Sequence, residues 1–185
     1  MEPSIPKETR KKLFRHASLE KLRDVSGGST YAKDKRVLAS LYEIITAMDA
    51  RTIMLYVPLA TEVNLSPLFQ KLRKEKRMLY VPFMEGESFR LVKYRYPLQK
   101  KQFGIKEPKY SRQYRKKKID IAVVPIVGID RTFRRVGFGK GMYDRFFEKE
   151  IKHIGKTIFT ARALCYTDEI VTDCYDVQAD IVIVP

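Results

Sequence analysis

The sequence RRVGFGKGMYDR, at residues 134–145, has three glycines at alternate positions, a lysine within the run and arginines at both ends. The apolar residues 119–127 before it predict a buried strand, and the amphipathic residues 143–151 after it predict a helix. A glycine-rich loop between a strand and a helix presents backbone N–H groups and a helix N-terminus to an anion. The stretch therefore indicates an α/β fold with a phosphate-binding loop, and an ordinary tight turn is the structural alternative.

Charged side chains around this loop suit a bound polyphosphate. Arg134, Arg135 and Lys140 add positive charge, and Asp144, just inside the predicted helix, could hold a magnesium ion that bridges phosphate oxygens. The glycine spacing differs from that of the Walker A loop and of the dinucleotide-binding loop, so neither of those sites is predicted.

Length and composition predict a single globular domain over residues 1–185. The chain is long enough to bury a core, and 44% of its residues are hydrophobic. No apolar run approaches the roughly 20 residues of a membrane helix, and the N-terminal residues lack the apolar segment of a signal peptide. The two cysteines form neither a C-x-x-C motif nor a zinc motif. We therefore expect a cytoplasmic protein with reduced cysteines.

The chain carries 37 lysines and arginines against 22 acidic residues, a formal net charge of +15. Such a charge predicts an anionic partner, either a nucleic acid or a nucleotide together with a polyanionic small molecule. A solvated basic surface is the alternative that needs no partner. The two histidines, His16 and His153, leave little room for a histidine-based catalytic triad or metal site.

Apolar periodicity predicts an alternation of helices and strands along the chain. The predicted helices are residues 7–23, 31–47, 66–76 and 143–151. The predicted strands are residues 52–57, 78–81, 90–94, 119–127, 157–160, 163–166 and 181–184. Strands that alternate with helices favour a largely parallel sheet.

Two further segments carry polar side chains where a ligand could bind. Lys11 and Arg15 lie four positions apart on one face of the first predicted helix and could hold a phosphate, and Lys7 and Arg10 form a rival pair. Glu62 lies in the loop that leaves the first predicted strand, and parallel sheets bind ligands at such loops. Simple solvent exposure is the alternative for all of these residues.

The glycine-rich stretch also matches a longer pattern, R-x-G-x-G-K-G-x-Y-D-R, at residues 135–145. This pattern resembles the signature of the 5-formyltetrahydrofolate cyclo-ligase family, also called methenyltetrahydrofolate synthetases. Four shorter segments resemble other landmarks of the family in the same order: KKLFR at residues 11–15, YVPLATEVN at 56–64, FGIKEP at 103–108 and YDVQAD at 175–180. The resemblance thus covers nearly the whole chain.

The resemblance implies a three-layer α/β/α sandwich around a largely parallel mixed sheet. It also implies an ATP-dependent ligase that converts 5-formyltetrahydrofolate to 5,10-methenyltetrahydrofolate and releases ADP and phosphate. In that reaction the γ-phosphoryl group is transferred to the formyl oxygen, N10 attacks the formyl carbon, and phosphate leaves as the ring closes. Phosphoryl transfer needs positioning and charge neutralisation from the protein, which suits cations, backbone donors and magnesium ligands.

The same resemblance implies roles for particular residues. Asp144 and Asp176 would hold Mg²⁺, and only the resemblance selects Asp176 among several neighbouring carboxylates. Lys140, Tyr143 and Arg145 would take catalytic roles, with packing as an equal alternative for Tyr143. The residues implied for folate are Val57, Glu62, Phe138 and Met142. The residues implied for ATP are Lys11, Arg15, Arg135, Val136, Gly137, Phe138, Gly139, Lys140, Gly141, Met142 and Tyr143.

Two positions depart from the family pattern. Met142 stands where the family commonly has tyrosine, and Leu65 where it usually has threonine. Methionine can pack against a flat ring but cannot donate a hydrogen bond. A folate-binding protein that has lost turnover is therefore one alternative function.

The expected partners are ATP and a reduced folate, with or without a polyglutamate tail, bound by a monomer. The basic residues 112–118, with tyrosines at positions 110 and 114, could contact RNA, a polyglutamate tail or only solvent. A basic nucleic-acid-binding domain on the same fold is thus the second alternative function. The carboxylates of Asp144 and Asp176 disfavour it, because they would repel a phosphate backbone unless a metal ion lay between.

Overall fold

The computed structural model describes residues 5–101, 104–109 and 118–185. Its α-helices are α1 (Lys7–Ser26), α2 (Tyr31–Ala47), α3 (Ser66–Lys74) and α4 (Met142–Glu150). Its strands are β1 (Thr52–Met54), β2 (Met78–Glu85), β3 (Ser88–Lys93), β4 (Leu98–Lys100), β5 (Lys106–Pro108), β6 (Ile119–Pro125), β7 (Gly128–Asp130), β8 (Arg135–Val136), β9 (Ile154–Thr160), β10 (Tyr166–Thr167) and β11 (Ile181–Ile183). The predicted helices are confirmed, with ends that differ by at most a few residues.

The central sheet of the described residues has the strand order β11, β9, β6, β1, β2 and β3. Every neighbouring pair is parallel except β2 and β3, which form an antiparallel hairpin. The hairpin turn contains Gly86 at φ +57, a conformation that glycine adopts without steric cost. The sheet is therefore mixed and largely parallel, as predicted.

Successive residues of β6 point to opposite faces of the sheet, and helices cover both faces. Ile121 and Val123 belong to the core that contains residues of α2 and α3, whereas Ala122 and Val124 belong to the core that contains residues of α1 and α4. All four side chains are completely buried. A strand that is buried on both faces needs a continuous apolar run, and the three-layer α/β/α sandwich is confirmed.

The chain between β6 and α4 differs from the prediction. The strand predicted over residues 119–127 ends at Pro125, whose nitrogen cannot donate to a sheet. The chain then forms the β7–β8 hairpin, so Arg135 and Val136 lie in a strand. These strands and β10 form a small second sheet. The glycine loop proper therefore begins at Gly137 and connects β8 to α4.

Two other parts of the strand pattern differ from the prediction: one predicted strand is almost absent, and one hairpin was not predicted. The strand predicted over residues 163–166 was wrong for all residues but Tyr166. Cys165 is buried in this loop, but Leu164 and Tyr166 are 45% and 44% exposed, so the apolar composition of the segment reflects neither a strand nor a shared buried face. The β4–β5 hairpin was not predicted, because its short strands carry polar residues at most positions and lack an apolar alternation.

The loops after β1 and β6 leave neighbouring parallel strands at the same edge of the sheet. From β1 the sheet continues through β2 and β3 on one side, and from β6 through β9 and β11 on the other. Such a reversal of strand order leaves a crevice outside the carboxyl ends of the strands, where α/β proteins bind their ligands. The fold thus places the segment around Glu62 and the glycine loop around one crevice.

Two segments used in the sequence analysis lie partly outside the described residues: positions 112–117 of the basic run, and Phe103 of the FGIKEP segment. The rest of that segment forms β5 and the residues before it. Within the described ranges, no helix combines the length and the apolar composition that crossing a bilayer requires.

Candidate active site

An apolar cavity of about 450 Å³ opens at the carboxyl edge of the sheet. Its walls come from the loop after β1, from β2 and β3, from the β4–β5 hairpin and from the glycine loop. The apolar side chains in these walls include Val57, Leu59, Met84, Phe89, Ile105, Phe138 and Met142. The size and the apolar lining suit a flat organic ring.

Glu62 supplies a carboxylate to the apolar cavity. The loop after β1 turns back through a hydrogen bond from Glu62 N to Leu59 O (3.1 Å), and Leu59 N donates to Glu62 Oε2 (2.8 Å). Burial raises the pKa of Glu62 to about 7, while the Leu59 N–H and the charges of Arg135 and Arg162 act in the opposite direction. The carboxylate can accept hydrogen bonds from a ligand when ionised, and it titrates near neutral pH.

Arg135 and Tyr143 lie side by side in the wall of the apolar cavity. Arg135 is almost fully buried, and its Nε donates to Pro125 O at 3.0 Å. Its guanidinium lies 4.6 Å from the centre of the Tyr143 ring, which also packs edge-on against Phe89. Burial and then the charge of Glu62 raise the pKa of Tyr143 well above its ordinary range. The phenol therefore stays protonated at neutral pH and can donate a hydrogen bond.

The glycines of the loop are required by local geometry. A Cβ atom at residue 137 would overlap the guanidinium of Arg135, so Gly137 leaves room for that side chain. Gly139 (φ +91) and Gly141 (φ +62) have left-handed backbone conformations, and Gly141 is the N-cap of α4. Each of the three alternating glycines thus has its own structural reason.

A second, polar cavity of about 350 Å³ borders the same loop. Gly137, Gly139 and Gly141 line it, together with Lys11 and Arg15 from α1. Arg15 Nε donates to Gly137 O at 2.8 Å, which fixes α1 against the loop. Cations, loop backbone and the N-terminal end of α4 therefore surround one cavity, an arrangement that suits phosphate groups.

Asp144 in α4 and Asp176 in the loop before β11 bring carboxylates to the polar cavity. Asp176 is buried, and its Oδ2 accepts hydrogen bonds from Lys11 Nζ (2.5 Å) and Asp173 N (2.7 Å). Asp144 Oδ1 accepts a longer bond from Val177 N (3.4 Å). The described residues contain no group of three or more potential metal ligands. A metal ion here would complete its oxygen shell with phosphate and water, as Mg²⁺ commonly does.

The rival pair of predicted cations lies outside the polar cavity. Lys7 Nζ binds Asp173 at 2.6 Å, and Arg10 Nη1 binds Glu169 at 2.9 Å. Both cations are partly exposed, and neither lines the cavity. The structure therefore brings Lys11 and Arg15, one helical turn later in α1, to the glycine loop.

The residues predicted to bind ATP divide between the two cavities. Lys11, Arg15 and the glycines line the polar cavity. Val136 is completely buried in β8 and lines neither cavity. The members of the set that line the apolar cavity are Arg135, Phe138, Lys140, Gly141, Met142 and Tyr143. The residues predicted for folate all line the apolar cavity: Val57, Glu62, Phe138 and Met142.

Arg145 lines the polar cavity but uses its guanidinium to bind backbone. Its Nε donates to Glu87 O at 2.8 Å, and its Nη2 donates to the carbonyl oxygens of Glu87 and Lys140. Arg145 thereby ties the glycine loop to the turn between β2 and β3. These contacts favour a positioning role over the catalytic role predicted for this residue.

Several residues of the site were missed by the sequence analysis. Tyr175 is 65% exposed and lines the polar cavity, with Lys11 Nζ 6.0 Å from its ring centre. Glu107 is buried and accepts a hydrogen bond from Met84 N at 2.8 Å, which holds the β4–β5 hairpin against β2 as a cavity wall. Both carried a signal, since Tyr175 lies next to the predicted ligand Asp176 and Glu107 belongs to the FGIKEP segment.

Known proteins resemble this chain in sequence. The model of the 5-formyltetrahydrofolate cyclo-ligase family matches residues 7–185. A 5-formyltetrahydrofolate cyclo-ligase of Haemophilus influenzae is 30% identical over 119 residues, which cover 60% of this chain and 64% of the relative, less than two thirds of its length. A probable 5-formyltetrahydrofolate cyclo-ligase of Caenorhabditis elegans is 24% identical over 140 residues, 70% of this chain and 68% of the relative.

Two solved structures resemble the whole fold. A 5,10-methenyltetrahydrofolate synthetase of Aquifex aeolicus has a TM-score of 0.74 and 28% identity, over 94% of this chain and 88% of that chain. A synthetase of the same name from Mycoplasma pneumoniae has a TM-score of 0.72 over 94% of this chain and 98% of that chain, and at 23% identity it shows the fold alone. Because the family model matches nearly the whole chain and the predicted motifs line two adjoining cavities, the chain belongs to the 5-formyltetrahydrofolate cyclo-ligase family.

Proposed function

We propose that the chain is an ATP-dependent ligase that converts 5-formyltetrahydrofolate to 5,10-methenyltetrahydrofolate with release of ADP and phosphate. The observation that carries the proposal is the wall shared by the two cavities, since Gly141 lines both of them. A site for a flat ring and a site for a triphosphate thus meet at one glycine loop. Phosphoryl transfer requires the reacting atoms to meet in line, and two adjoining sites support that requirement. With these substrates, the proposed location is the cytoplasm.

The apolar cavity is the proposed folate site. Val57, Phe138 and Met142 offer apolar surface to the pterin ring. The Glu62 carboxylate would accept hydrogen bonds from the N–H donors on the pyrimidine edge of that ring. Glu62 is the main source of orientation in this proposal, because a flat ring in an apolar cavity is otherwise free to turn.

The folate tail is proposed to bind in an adjoining cavity of about 860 Å³, which shares Val57 and Glu62 with the apolar cavity. Lys100 and Lys106 line it and offer positive charge to the glutamate carboxylates. Tyr96 lines the same cavity and could pack against the aminobenzoyl ring. A polyglutamate tail would extend from this cavity.

The polar cavity is the proposed ATP site. Lys11, Arg15 and the backbone N–H groups of residues 137–141 would bind the triphosphate. Tyr175, exposed at the edge of the cavity, offers a flat ring on which adenine could stack.

Asp144 and Asp176 suit a magnesium ion, since both carboxylates line the polar cavity and oxygen ligands are what this ion prefers. The ion, when bound, would neutralise charge on the phosphate oxygens. Asp144, which accepts only a long hydrogen bond from Val177 N, is the more available of the two ligands. Asp176 would reach the ion once phosphate attracts the Lys11 ammonium away from it.

The proposed reaction has two steps. In the first, the formyl oxygen forms a bond to the γ-phosphorus while the bond from that phosphorus to the bridging oxygen breaks, and ADP leaves. In the second, N10 attacks the formyl carbon and loses its proton, and the bond from that carbon to oxygen breaks as phosphate leaves. The second step is feasible because phosphate is a much better leaving group than the original formyl oxygen.

Cationic and hydrogen-bonding side chains near the shared wall are proposed to stabilise these steps. The Arg135 guanidinium, packed against Gly137, would neutralise charge on the transferred phosphoryl group. The protonated Tyr143 phenol would donate a hydrogen bond to the formyl oxygen, and Lys140 would add positive charge from the loop. Arg145 would act indirectly, by holding the loop in place.

A folate-binding protein without turnover is the second candidate function, and Met142 is the observation in its favour. Met142 lines the apolar cavity, where a thioether offers packing but no hydrogen-bond donor. Nucleic-acid binding has weaker support, because the carboxylates of Asp144 and Asp176 line the polar cavity and would repel a phosphate backbone there.

An absorbance assay separates these functions. The purified chain is mixed with 5-formyltetrahydrofolate, ATP and magnesium, and the near-ultraviolet absorbance of methenyltetrahydrofolate is followed together with ADP release. Equal rates of both products, dependent on magnesium, support the ligase. Binding of both ligands without either product favours the folate-binding protein, and restored turnover in Met142→Tyr would identify the cause. A folded sample that binds neither ligand overturns both proposals.

A further inference from the structure

A buried ion pair lies beneath the loop that carries Glu62. Arg162, in the loop after β9, donates from Nε and Nη2 to the two carboxylate oxygens of Asp34 in α2, at 2.8 and 2.9 Å. Arg162 is 7% exposed and Asp34 is 6% exposed. The free energy needed to desolvate two charges offsets much of the attraction between them. A buried ion pair is therefore weak evidence that the pair serves stability alone. Its other contacts show what it holds.

The pair also binds the backbone on both sides of Glu62, and Arg162 Nη1 also donates to Ser26 Oγ at 3.1 Å. Arg162 Nη1 donates to Ala60 O at 2.6 Å, and Asp34 Oδ2 accepts a hydrogen bond from Asn64 N at 3.2 Å. The two residues that flank Glu62 at a distance of two positions are therefore bound to the same ion pair. Loss of either side chain would remove one of these two bonds together with the ion pair.

Hydrogen bonds within the loop join Leu59 and Glu62, and they do not anchor the loop to the rest of the fold. Residues 55–65 belong to no helix or strand. A third buried contact comes from the Tyr56 hydroxyl, which lies 3.3 Å from Val63 O and 3.0 Å from Thr160 Oγ1. The Glu62 carboxylate is thus bound within the loop by Leu59 N, and the loop as a whole is held in place by side chains from α2 and from the loop after β9.

We propose that the Asp34–Arg162 ion pair is a positioning device that fixes the Glu62 carboxylate for the ligand of the apolar cavity. The proposal rests on the proposed function for the identity of that ligand, a reduced folate. A carboxylate that is held in place before the ligand arrives loses little freedom on binding, and displacement by about 1 Å can cost about 100-fold. The pair should therefore affect the folate site and leave the ATP site unchanged. Arg162 also lines the proposed tail cavity, whereas Asp34 does not, so Asp34→Asn is the variant that separates positioning from direct contact.

Electrostatics add a second signature to this role. Among the described residues, the charged or titratable groups that interact with Glu62 include Arg135, Arg162, Tyr56 and Tyr143, and Lys106 and Lys140 line the same cavity. The positive charges of Arg135 and Arg162 lower the pKa of Glu62, against the larger effect of burial. Removing the charge of Arg162 should therefore raise the pKa of Glu62, whereas a lysine at this position should keep much of the charge while losing the two-pronged geometry.

The experiment compares Arg162→Gln, Arg162→Lys and Asp34→Asn with the wild type. KM and kcat are measured for 5-formyltetrahydrofolate and for ATP between pH 6 and 9. Arg77→Lys is the matched control, because Arg77 is also largely buried and binds a carbonyl (Ala50 O) and a carboxylate (Glu75, 3.0 Å), but at the opposite end of the sheet.

The expected result is a rise of about 10- to 100-fold in the KM for the folate in all three variants. The KM for ATP should stay within about twofold, and Arg77→Lys should change neither value, since its contacts are remote from both cavities. The midpoint of the pH dependence of folate affinity should follow the pKa of Glu62. It should therefore move to higher pH in Arg162→Gln, and by a smaller amount in Arg162→Lys. Folded variants with unchanged folate KM would overturn the proposal, as would equal losses for folate and ATP with a lowered Tm.

A measurement without substrate keeps the proposal testable if the wild type proves inactive. The Glu62 carboxyl is titrated by carbon-13 NMR in ligand-free wild type and in Arg162→Lys, with Glu62→Gln used to assign its signal. A changed carboxyl shift or midpoint supports positioning by the pair, and an identical titration overturns it. Absence of turnover and of folate binding in the wild type would instead overturn the proposed function. The two failures are thus distinguishable.

Discussion

The ammonium nitrogen of Lys11 in α1 lies 2.5 Å from a carboxylate oxygen of Asp176, although the two residues are 165 positions apart in the chain. The same oxygen accepts a hydrogen bond from Asp173 N at 2.7 Å. Asp176 is almost fully buried, so the lysine balances a charge that has little access to water. The contact brings the first helix to the polar cavity, where Arg15 meets the glycine loop.

The first prediction separates the two candidate cation pairs of α1. Lys11→Gln should raise the KM for ATP by about tenfold or more, because a charged hydrogen bond to phosphate is lost. Lys7→Gln should leave the KM within about twofold, since Lys7 binds Asp173 at a partly exposed site, where a salt bridge contributes little. Steady-state kinetics with varied ATP and saturating folate measure both values. A larger effect from Lys7→Gln would contradict the placement of ATP in the polar cavity.

The second prediction concerns the magnesium ligands. Asp144→Asn should lower turnover by about 100-fold or more, the order expected when one electrostatic contact to a transition state is removed. The fold should be retained, because within the described part of the chain the Asp144 side chain accepts a single, long hydrogen bond, from Val177 N. Glu148→Gln is the control, since Glu148 lines the same cavity one helical turn later but is exposed. Equal losses from both variants, or no loss from Asp144→Asn, would argue against a metal ion held at Asp144.

Local sequence patterns were sufficient to predict the helices and a largely parallel sheet, whereas the three-layer arrangement was implied by the family resemblance. The strand β6 is buried on both faces, so its continuous apolar run is a requirement of the fold and visible in the sequence. The pairing of β6 with β9 and β1 was not predictable in the same way, because contacts between distant segments leave no periodic signal. The charged β4–β5 hairpin was missed for the related reason that its packing, through Glu107, is to another part of the chain.

The site was predictable only where a residue forms part of a motif. The glycine loop, Glu62 and Asp176 were selected in this way, and the structure brings them to two adjoining cavities. Phe89 is an ordinary strand residue that becomes a cavity wall through the topology of the sheet. Arg162 was missed because its only local context is an irregular apolar segment, and its partner is 128 positions away.

The third prediction tests the link between the glycine loop and Arg135. In Gly137→Ala the new methyl group would overlap the Arg135 guanidinium, which is confined by Pro125 O and by the Tyr143 ring. The variant should be less stable by about 1–3 kcal/mol, as for an overpacked core position, and its turnover should fall because the guanidinium is displaced from the wall of the apolar cavity.

Gly28→Ala is the control for this variant, because a Cβ atom at residue 28 meets nothing within 4 Å. Thermal unfolding and turnover are measured for both variants. A Gly137→Ala protein with wild-type turnover and Tm would show that Arg135 moves without consequence. Arg135 would then have no part in the proposed phosphoryl transfer.

The fourth prediction concerns pH and Glu62. Burial raises the pKa of Glu62 to about 7, so the carboxyl is increasingly protonated below that pH and loses acceptor capacity. Affinity for 5-formyltetrahydrofolate should therefore fall as the pH decreases below about 7. Glu62→Gln should weaken binding by about tenfold at pH 8 and remove the pH dependence. Isothermal titration from pH 5.5 to 8.5 tests this, and an unchanged pH profile in the variant would assign the titration to another group.

The fifth prediction concerns the effect of Glu62 on stability. Ionisation of this carboxyl should favour folate binding but destabilise the folded protein. The folded-state pKa of Glu62 lies above its ordinary value of 4.5, so the folded protein binds an extra proton between these pH values. The stabilising contribution of the protonated carboxyl is complete below about pH 4.5 and is lost as the pH rises through 7. A glutamine has no such proton to lose, so the Tm of Glu62→Gln relative to wild type should increase from pH 5 to pH 8. A constant difference in Tm would contradict the raised pKa, whereas a growing difference would show that the chain gives up stability to keep an ionised carboxylate in this cavity.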